Sequence, residues 1–104
     1  MNIQYYFQNI DDNEKKIVKK HLEEKKLNAL NRLLQHGNYE NSNLKVSIER
    51  FEKHNAYAVK YNLDMPKDRL LAEETSHKLL KSVDFALEKL VAQVRKLESI
   101  RHKK

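Results

Sequence analysis

Hydrophobic and polar positions alternate along three stretches of the chain, and this two-residue period is typical of β-strands with one buried face. In residues 2–8, Ile3, Tyr5 and Phe7 alternate with mostly polar neighbours. The same period predicts strands over residues 44–51 and 56–63. A fourth, shorter strand is predicted over 69–74, after a turn at 65–68 that contains the only proline.

Two other segments follow the helical period instead. In the last part of the chain, hydrophobic residues recur at spacings of three and four, which defines one apolar stripe. These residues are Leu80, Val83, Leu87, Leu90, Val94 and Leu97. We therefore expect a helix that is capped by Thr75 or Ser76 and ends near residue 100. A first helix is predicted over 13–36, and we expect Gly37 to end it as a left-handed C-cap.

The first helix has an irregular hydrophobic pattern. Leu27, Leu30, Leu33 and Leu34 share one face, whereas Val18 and Leu22 fall on the opposite side of a regular helix. One extra residue near 23–26 would rotate the first half by about 100° and align both groups. The pattern therefore predicts a single-turn π-bulge or a kink. The alternative is that the first turns pack elsewhere or against another molecule.

The predicted elements follow the order β-α-β-β-β-α. A helix that connects two strands makes them parallel, and short turns make the remaining neighbours antiparallel. Because both helices are apolar on one side only, we expect them to cover the same face of a four-stranded mixed sheet. The 104 residues suffice for one α+β domain. We assign it to residues 1–100 and expect a basic flexible tail at 101–104.

Charge is distributed unevenly along the chain. Lys and Arg number 21 against 15 Asp and Glu, for a net charge of +6. Residues 15–36 hold seven basic and two acidic side chains, and residues 75–104 hold eight and three. The remainder is net negative, so the whole positive excess lies on the two predicted helices. This asymmetry favours a polyanionic partner.

Several kinds of chemistry lack the residues that they need. The chain has no cysteine, and its single glycine cannot form a glycine-rich phosphate loop. The five histidines are dispersed, and we interpret each as a lone surface side chain. Glu73 and Glu74 are adjacent in a strand, so they point to opposite faces. We expect no enzyme, no metal or other cofactor, and no small-molecule substrate.

Targeting and membrane signals are also missing from the sequence. The N-terminus does not follow the order of a signal peptide, and no apolar run reaches the roughly 18 residues that cross a bilayer. A cytoplasmic protein without a membrane partner is therefore expected.

Five motifs in order resemble one known family, the ribosome hibernation promoting factors, also called ribosome-associated inhibitors or sigma-factor modulation proteins. They are the opening MNIQ strand with Asn9-Ile10, KKLNALNRLL (25–34), LKVSIE (44–49), LLAEETS (70–76) and SVDFALEKLVAQVRK (82–96). The last motif is the most specific. The resemblance covers nearly the whole chain and is to the short form of the family.

The resemblance implies a fold similar to double-stranded RNA-binding domains and a role in translation. Family members occupy the mRNA and tRNA channel of the small ribosomal subunit, contact ribosomal RNA phosphates, and block translation in stationary phase or stress. By position, the matching polar sites are Lys25, Lys26, Lys89, Gln93, Arg95 and Lys96. The charge pattern adds Lys15, Lys19, Lys20, Arg32, Lys81, Arg101, Lys103 and Lys104. A monomer is expected when the protein is free.

The chain departs from the family pattern at three places. Lys78-Leu79-Leu80 replaces a D-M-Y motif, Ala92 replaces an arginine, and Leu97-Glu98 replaces the last two residues of K-H-K. Lys78 and Phe85 are candidate replacement contacts. Phe85 lies among lysines, where it either stacks on a base or sugar or simply lies over lysine stems or the edge of the core.

Two other functions are compatible with the same pattern. One is a protein-interaction regulatory module in which the irregular first helix pairs with a partner helix. The other is a general structured-RNA-binding protein without preference for the ribosome.

Overall fold

The computed structural model describes residues 1–37, Tyr39 and residues 41–102, with side chains as far as Ile100. The strands are β1 (Asn2–Gln8), β2 (Asn43–Phe51), β3 (Ala56–Asp64) and β4 (Arg69–Ser76). The first helical segment comprises α1 (Asp12–His21), a five-residue π-helical turn (Leu22–Lys26, hereafter the π-turn) and α2 (Leu27–His36). A 3-10 turn (Glu52–His54) joins β2 to β3, and α3 (Leu79–His102) follows β4.

The four strands form one mixed sheet in the order β1-β2-β3-β4. β1 is parallel to β2, and the other two pairs are antiparallel, as the sequence predicts. The register aligns hydrophobic side chains across the sheet, so that Ile3, Leu44, Leu63 and Leu70 are successive partners in one row. One face of the sheet is therefore apolar and needs to be covered.

Both helical segments cover this same face. The Tyr57 hydroxyl donates a hydrogen bond to Glu14 Oε2 in α1 at 2.7 Å, and the Tyr61 hydroxyl donates to the Val83 carbonyl in α3 at 3.0 Å. Tyr57 and Tyr61 are four residues apart in β3 and so point to the same side. The predicted arrangement of an α+β domain with two helices on one face is confirmed.

The irregularity of the first helix is a π-turn at the predicted position. Val18 and Leu22 are fully buried, and so is Leu30 beyond the turn. A π-turn inserts one extra residue into the helical path and rotates the two halves relative to each other. The prediction of a bulge near 23–26 is confirmed, and the alternative that the first turns pack elsewhere is wrong.

Gly37 does not have the expected left-handed conformation. Its φ is −88° and its ψ is 3°, which lies outside the left-handed region and is open to residues with a side chain, so the prediction was wrong. Glycine is required here for a different reason: a Cβ would overlap Glu98 Oε1 and the Tyr39 ring. The end of α2 therefore packs closely against α3. The neighbouring Asn38 and Glu40 lie outside the described residues.

The start of α3 also differs from the prediction. Thr75 and Ser76 belong to β4 rather than capping a helix, and α3 begins only at Leu79. Thr75 is β-branched and fits a strand as well as a cap, which explains the misassignment. The backbone N–H of Lys78 donates to Ser76 Oγ at 3.1 Å across the connection. At the other end α3 continues to His102, and Lys103 and Lys104 of the predicted tail lie outside the described residues.

Candidate nucleic-acid interface

The outward side of the helical layer carries a group of exposed cations, which we call the basic helical face. Its members are Lys20, Lys25, Arg32, Lys81 and Lys96. In the part of the chain that the structure describes, none of them forms an ion pair. Glu23 and Glu24 adjoin Lys25 in the chain, but residues 12–36 and 79–100 together hold eleven cations against seven carboxylates. The helical layer therefore keeps a positive excess for an anionic partner.

The opposite, uncovered face of the sheet is electrically balanced. Its charged side chains are three cations and three carboxylates, namely Lys45, Lys60, Arg69, Glu49, Asp64 and Glu73. Arg69 and Asp64 form an ion pair, with Nε 2.6 Å from Oδ1. The two faces of the domain thus differ in charge, and the positive excess is confined to the helical side.

Two predicted cations of α1 lie over aromatic rings of β1. Lys19 Nζ is 5.4 Å from the centroid of the Tyr5 ring, and Lys15 Nζ is 5.8 Å from that of Phe7. The two rings are stacked at 5.8 Å with an interplanar angle of 4°. Burial, assisted by the negative charge of Glu23, raises the pKa of Tyr5 to about 12. Lys15 and Lys19 therefore help to cover the apolar side of β1 with their stems.

Lys89 and Gln93 reach from α3 to the edge strand β4. Lys89 Nζ is 2.7 Å from Glu74 Oε2 and donates to the Glu73 carbonyl at 3.3 Å. Gln93 Nε2 donates to the Leu71 carbonyl at 2.9 Å. The Lys89 hydrogen bond and charge hold the pKa of Glu74 below its usual range, with the Thr75 N–H contributing. These contacts satisfy outward carbonyls that an edge strand otherwise exposes.

Phe85 lies on the outer surface of α3, with 41% of its surface exposed. Lys81 Nζ is 5.4 Å from its ring centroid. The ring thus packs against a lysine side chain, as one of the arrangements expected from the sequence has it. Lys78 precedes α3 and is also exposed.

Asp84 connects α3 to both ends of the π-turn. His21 Nε2 is 2.7 Å from Asp84 Oδ1, and Lys26 Nζ is 3.8 Å from Oδ2. Only 16% of the His21 side chain is exposed, so its interpretation as a lone surface histidine is wrong. The predicted bulge could have indicated that His21 is not a surface residue, because the rotation that buries Val18 also turns His21 toward α3.

The remaining predicted contacts lie at the side of the helical layer or beyond it. Arg95 and Lys26 line a groove between α2 and α3. The side chain of Arg101, with Lys103 and Lys104, lies outside the described residues. Among the described residues no cluster of three or more histidine, cysteine or acidic side chains could hold a metal ion. No described helix is long and apolar enough to cross a membrane.

A mixed sheet with a basic helical layer on one face defines a small α+β domain with the charge distribution of a nucleic-acid-binding protein. The family model "Sigma 54 modulation protein / S30EA ribosomal protein" matches residues 3–101. The chain belongs to this family, and the resemblance noted in the sequence is confirmed.

Two solved structures have a similar fold. The N-terminal domain of Protein Y from Thermus thermophilus superposes with a TM-score of 0.65 at 24% identity, covering 93% of this chain and 99% of that one. A ribosomal subunit interface protein from Coxiella burnetii gives a TM-score of 0.69 at 20% identity, covering 95% and 99%. No curated protein matches the chain.

Proposed function

We propose that this protein binds the small ribosomal subunit through its basic helical face and inhibits translation by occupying the mRNA and tRNA channel. The observation that carries the proposal is the charge difference between the two faces of the domain. The helical segments, residues 12–36 and 79–100, hold eleven cations against seven carboxylates, whereas the open sheet face has three of each. Ribosomal RNA is the polyanion that meets this face.

Two further observations support the proposal. The chain belongs to a family described as ribosomal, and one structure with the same fold is a ribosomal subunit interface protein. The proposed inhibition also needs no catalytic group, because phosphate contacts supply the affinity and steric overlap supplies the effect. Lys26, Arg95, Lys89 and Gln93 flank the basic helical face and extend the proposed contact surface on either side.

The test compares charge reversals on the two faces. Lys25→Glu with Lys96→Glu changes two exposed cations of the basic helical face. Lys45→Glu with Lys60→Glu makes the same change in charge on the open sheet face. We expect the first pair to weaken binding to purified small subunits at least tenfold and the second to have a much smaller effect. Equal losses would show that net charge alone, rather than the helical face, determines binding.

A second measurement separates ribosome binding from general RNA binding. Free structured RNA is added as a competitor at equal phosphate concentration to intact small subunits. We expect the subunits to compete far more strongly, and bound protein to reduce mRNA and tRNA binding to the subunit. Equal competition would favour a general RNA-binding protein, and undiminished mRNA and tRNA binding would contradict channel occupation.

A further inference from the structure

A groove runs between α2 and α3 along the side of the basic helical face. Its volume is about 280 Å³, slightly below the roughly 300–1,000 Å³ of pockets that hold drug-sized ligands. Leu87 is buried and Val91 half-buried, so they form its base. Ala29 and Ala92 are exposed and form its two sides. Because both sides end in a methyl group, the groove stays open and presents an apolar, narrow space.

The groove has cations toward its two ends. Lys26 Nζ is 3.8 Å from Asp84 Oδ2, a carboxylate that also lines the groove, but an ammonium group has three N–H donors and can contact a second anion. Arg95 is eleven residues further along α3 than Asp84, or about 16 Å along the helix axis. Glu88 lines the groove between them and is exposed. An occupant that complements this arrangement is flat and apolar in its middle, has negative groups for Lys26 and Arg95, and carries hydrogen-bond donors for the Asp84 and Glu88 carboxylates.

We propose that this groove receives one unstacked nucleobase of a single-stranded RNA segment, with phosphates of that segment on Lys26 and Arg95. The inference rests on the proposed function and specifies how the helical layer recognises RNA. A base supplies the flat apolar part, and the flanking phosphates supply the negative ends. Base-paired RNA does not fit, because its bases are stacked inside the helix, whereas loops and bulges offer bases that project outward.

Glu88 gives the groove a base preference. A carboxylate accepts hydrogen bonds from the amino group of cytosine. Uracil has no amino group, and its N3–H lies between two carbonyl oxygens that repel a carboxylate. The groove therefore prefers a cytosine to a uracil at this position. The apolar base of the groove contacts both pyrimidines equally, so the preference comes from its carboxylates, and Glu88 is the one without an ion pair among the described residues.

The first test fills the groove without changing any charge. Ala29→Leu with Ala92→Leu adds bulk inside it, whereas Asn28→Leu adds a leucine at an exposed position of α2 that does not line it. Loss of the base contact is expected to weaken binding to small subunits, by tenfold for each 1.4 kcal/mol of contact energy that is lost. The salt dependence should stay the same, because the phosphate-binding cations remain. Asn28→Leu should bind as the unchanged protein does.

The outcomes distinguish this inference from the proposed function. If the unchanged protein binds small subunits and the filled variant binds equally well, the groove inference is overturned and the proposed function stands. If the unchanged protein does not bind small subunits, the proposed function is overturned. In that case weaker binding of the filled variant to a short cytidine oligonucleotide would still support the groove, and equal binding would overturn it.

Two further measurements identify the occupant. The ratio of affinities for short cytidine and uridine oligonucleotides should exceed one and fall toward one in Glu88→Ala. A ratio that Glu88→Ala leaves unchanged would overturn the base preference. Because the chain has no cysteine, Ser99→Cys places a single photocrosslinker one helical turn beyond Arg95. Crosslinks to ribosomal RNA support the inference, and crosslinks only to a ribosomal protein or to a second copy overturn it.

Discussion

Removing Glu24 from the π-turn is expected to leave the protein folded and nearly as stable as before. The turn contains one residue more than a regular helix requires. Without it, the buried positions Val18, Leu22, Leu27, Leu30 and Leu34 would be separated by four, four, three and four residues. This is the spacing of one continuous apolar stripe on an α-helix, so both halves would still face the sheet.

The magnitude follows from the burial of these side chains. Val18 and Leu22 are both fully buried. If the deletion rotated α1 so that these side chains became exposed, the free energy of unfolding would fall by about 1.5–3 kcal/mol for each of them. Such a loss is a large part of the roughly 5–15 kcal/mol that stabilises a small domain. The expected loss for the Glu24 deletion is instead within about 1 kcal/mol.

A matched control deletes Asn31 from the regular helix α2. This rotates Leu34, which is 2% exposed, about 100° away from the core. We expect a loss of about 2–5 kcal/mol, similar to that of truncating a buried leucine. Urea denaturation followed by circular dichroism measures both variants. Equal destabilisation by the two deletions would refute the one-residue insertion as the cause of the irregular pattern.

Three other predictions follow from packing and from the shifted pKa values. Gly37→Ala is expected to lower the free energy of unfolding by about 1–3 kcal/mol, because the added Cβ overlaps packed atoms, and an unchanged denaturation midpoint would contradict this. Lys89→Met is expected to return the lowered pKa of Glu74 toward 4.5 in an NMR titration. Since that pKa is depressed in the folded state, the stability contributed by the pair is present above about pH 4.5 and is lost as the pH falls through the depressed value. Tyr61→Phe is expected to cost about 0.5–1.5 kcal/mol for its hydrogen bond, whereas the exposed Tyr6→Phe should cost less. Burial raises the pKa of Tyr61, so the unchanged protein should lose stability above about pH 10 and the Tyr61→Phe variant should lose less.

Local sequence patterns were sufficient to predict the elements and the irregular helix. The shift between Val18, Leu22 and the later leucines is a phase change within a single segment, so the sequence contains all the information needed to place the π-turn. The sheet order follows in the same way from short connections and one helical crossover. Such features depend on neighbours along the chain.

Contacts between distant segments were the part that sequence patterns missed. Gly37 was expected to serve a local conformation, but the constraint comes from Glu98 in a different helix. Lys89 lies opposite the apolar stripe, yet its long side chain extends to Glu74 on the sheet edge. Hydrophobic periodicity defines which side of a helix is buried. It does not define which partner a polar side chain at the border will reach.

The same distinction applies to the candidate interface. The excess of positive charge on two segments was evident from composition, and the fold brings both segments to one face. The neutrality of the other face could be recognised only once the strand register was known. The proposed function depends on this difference in charge, because it directs the helical side of the domain, and not the open sheet face, toward RNA.

Sedimentation of the unchanged protein with purified small ribosomal subunits, in a sucrose gradient at two salt concentrations, tests the proposed ribosome binding most directly. We predict that the protein migrates with the subunits at low salt and is released as the salt concentration rises, because phosphate contacts supply most of the affinity. Protein that remains at the top of the gradient at both salt concentrations would contradict binding to the small subunit.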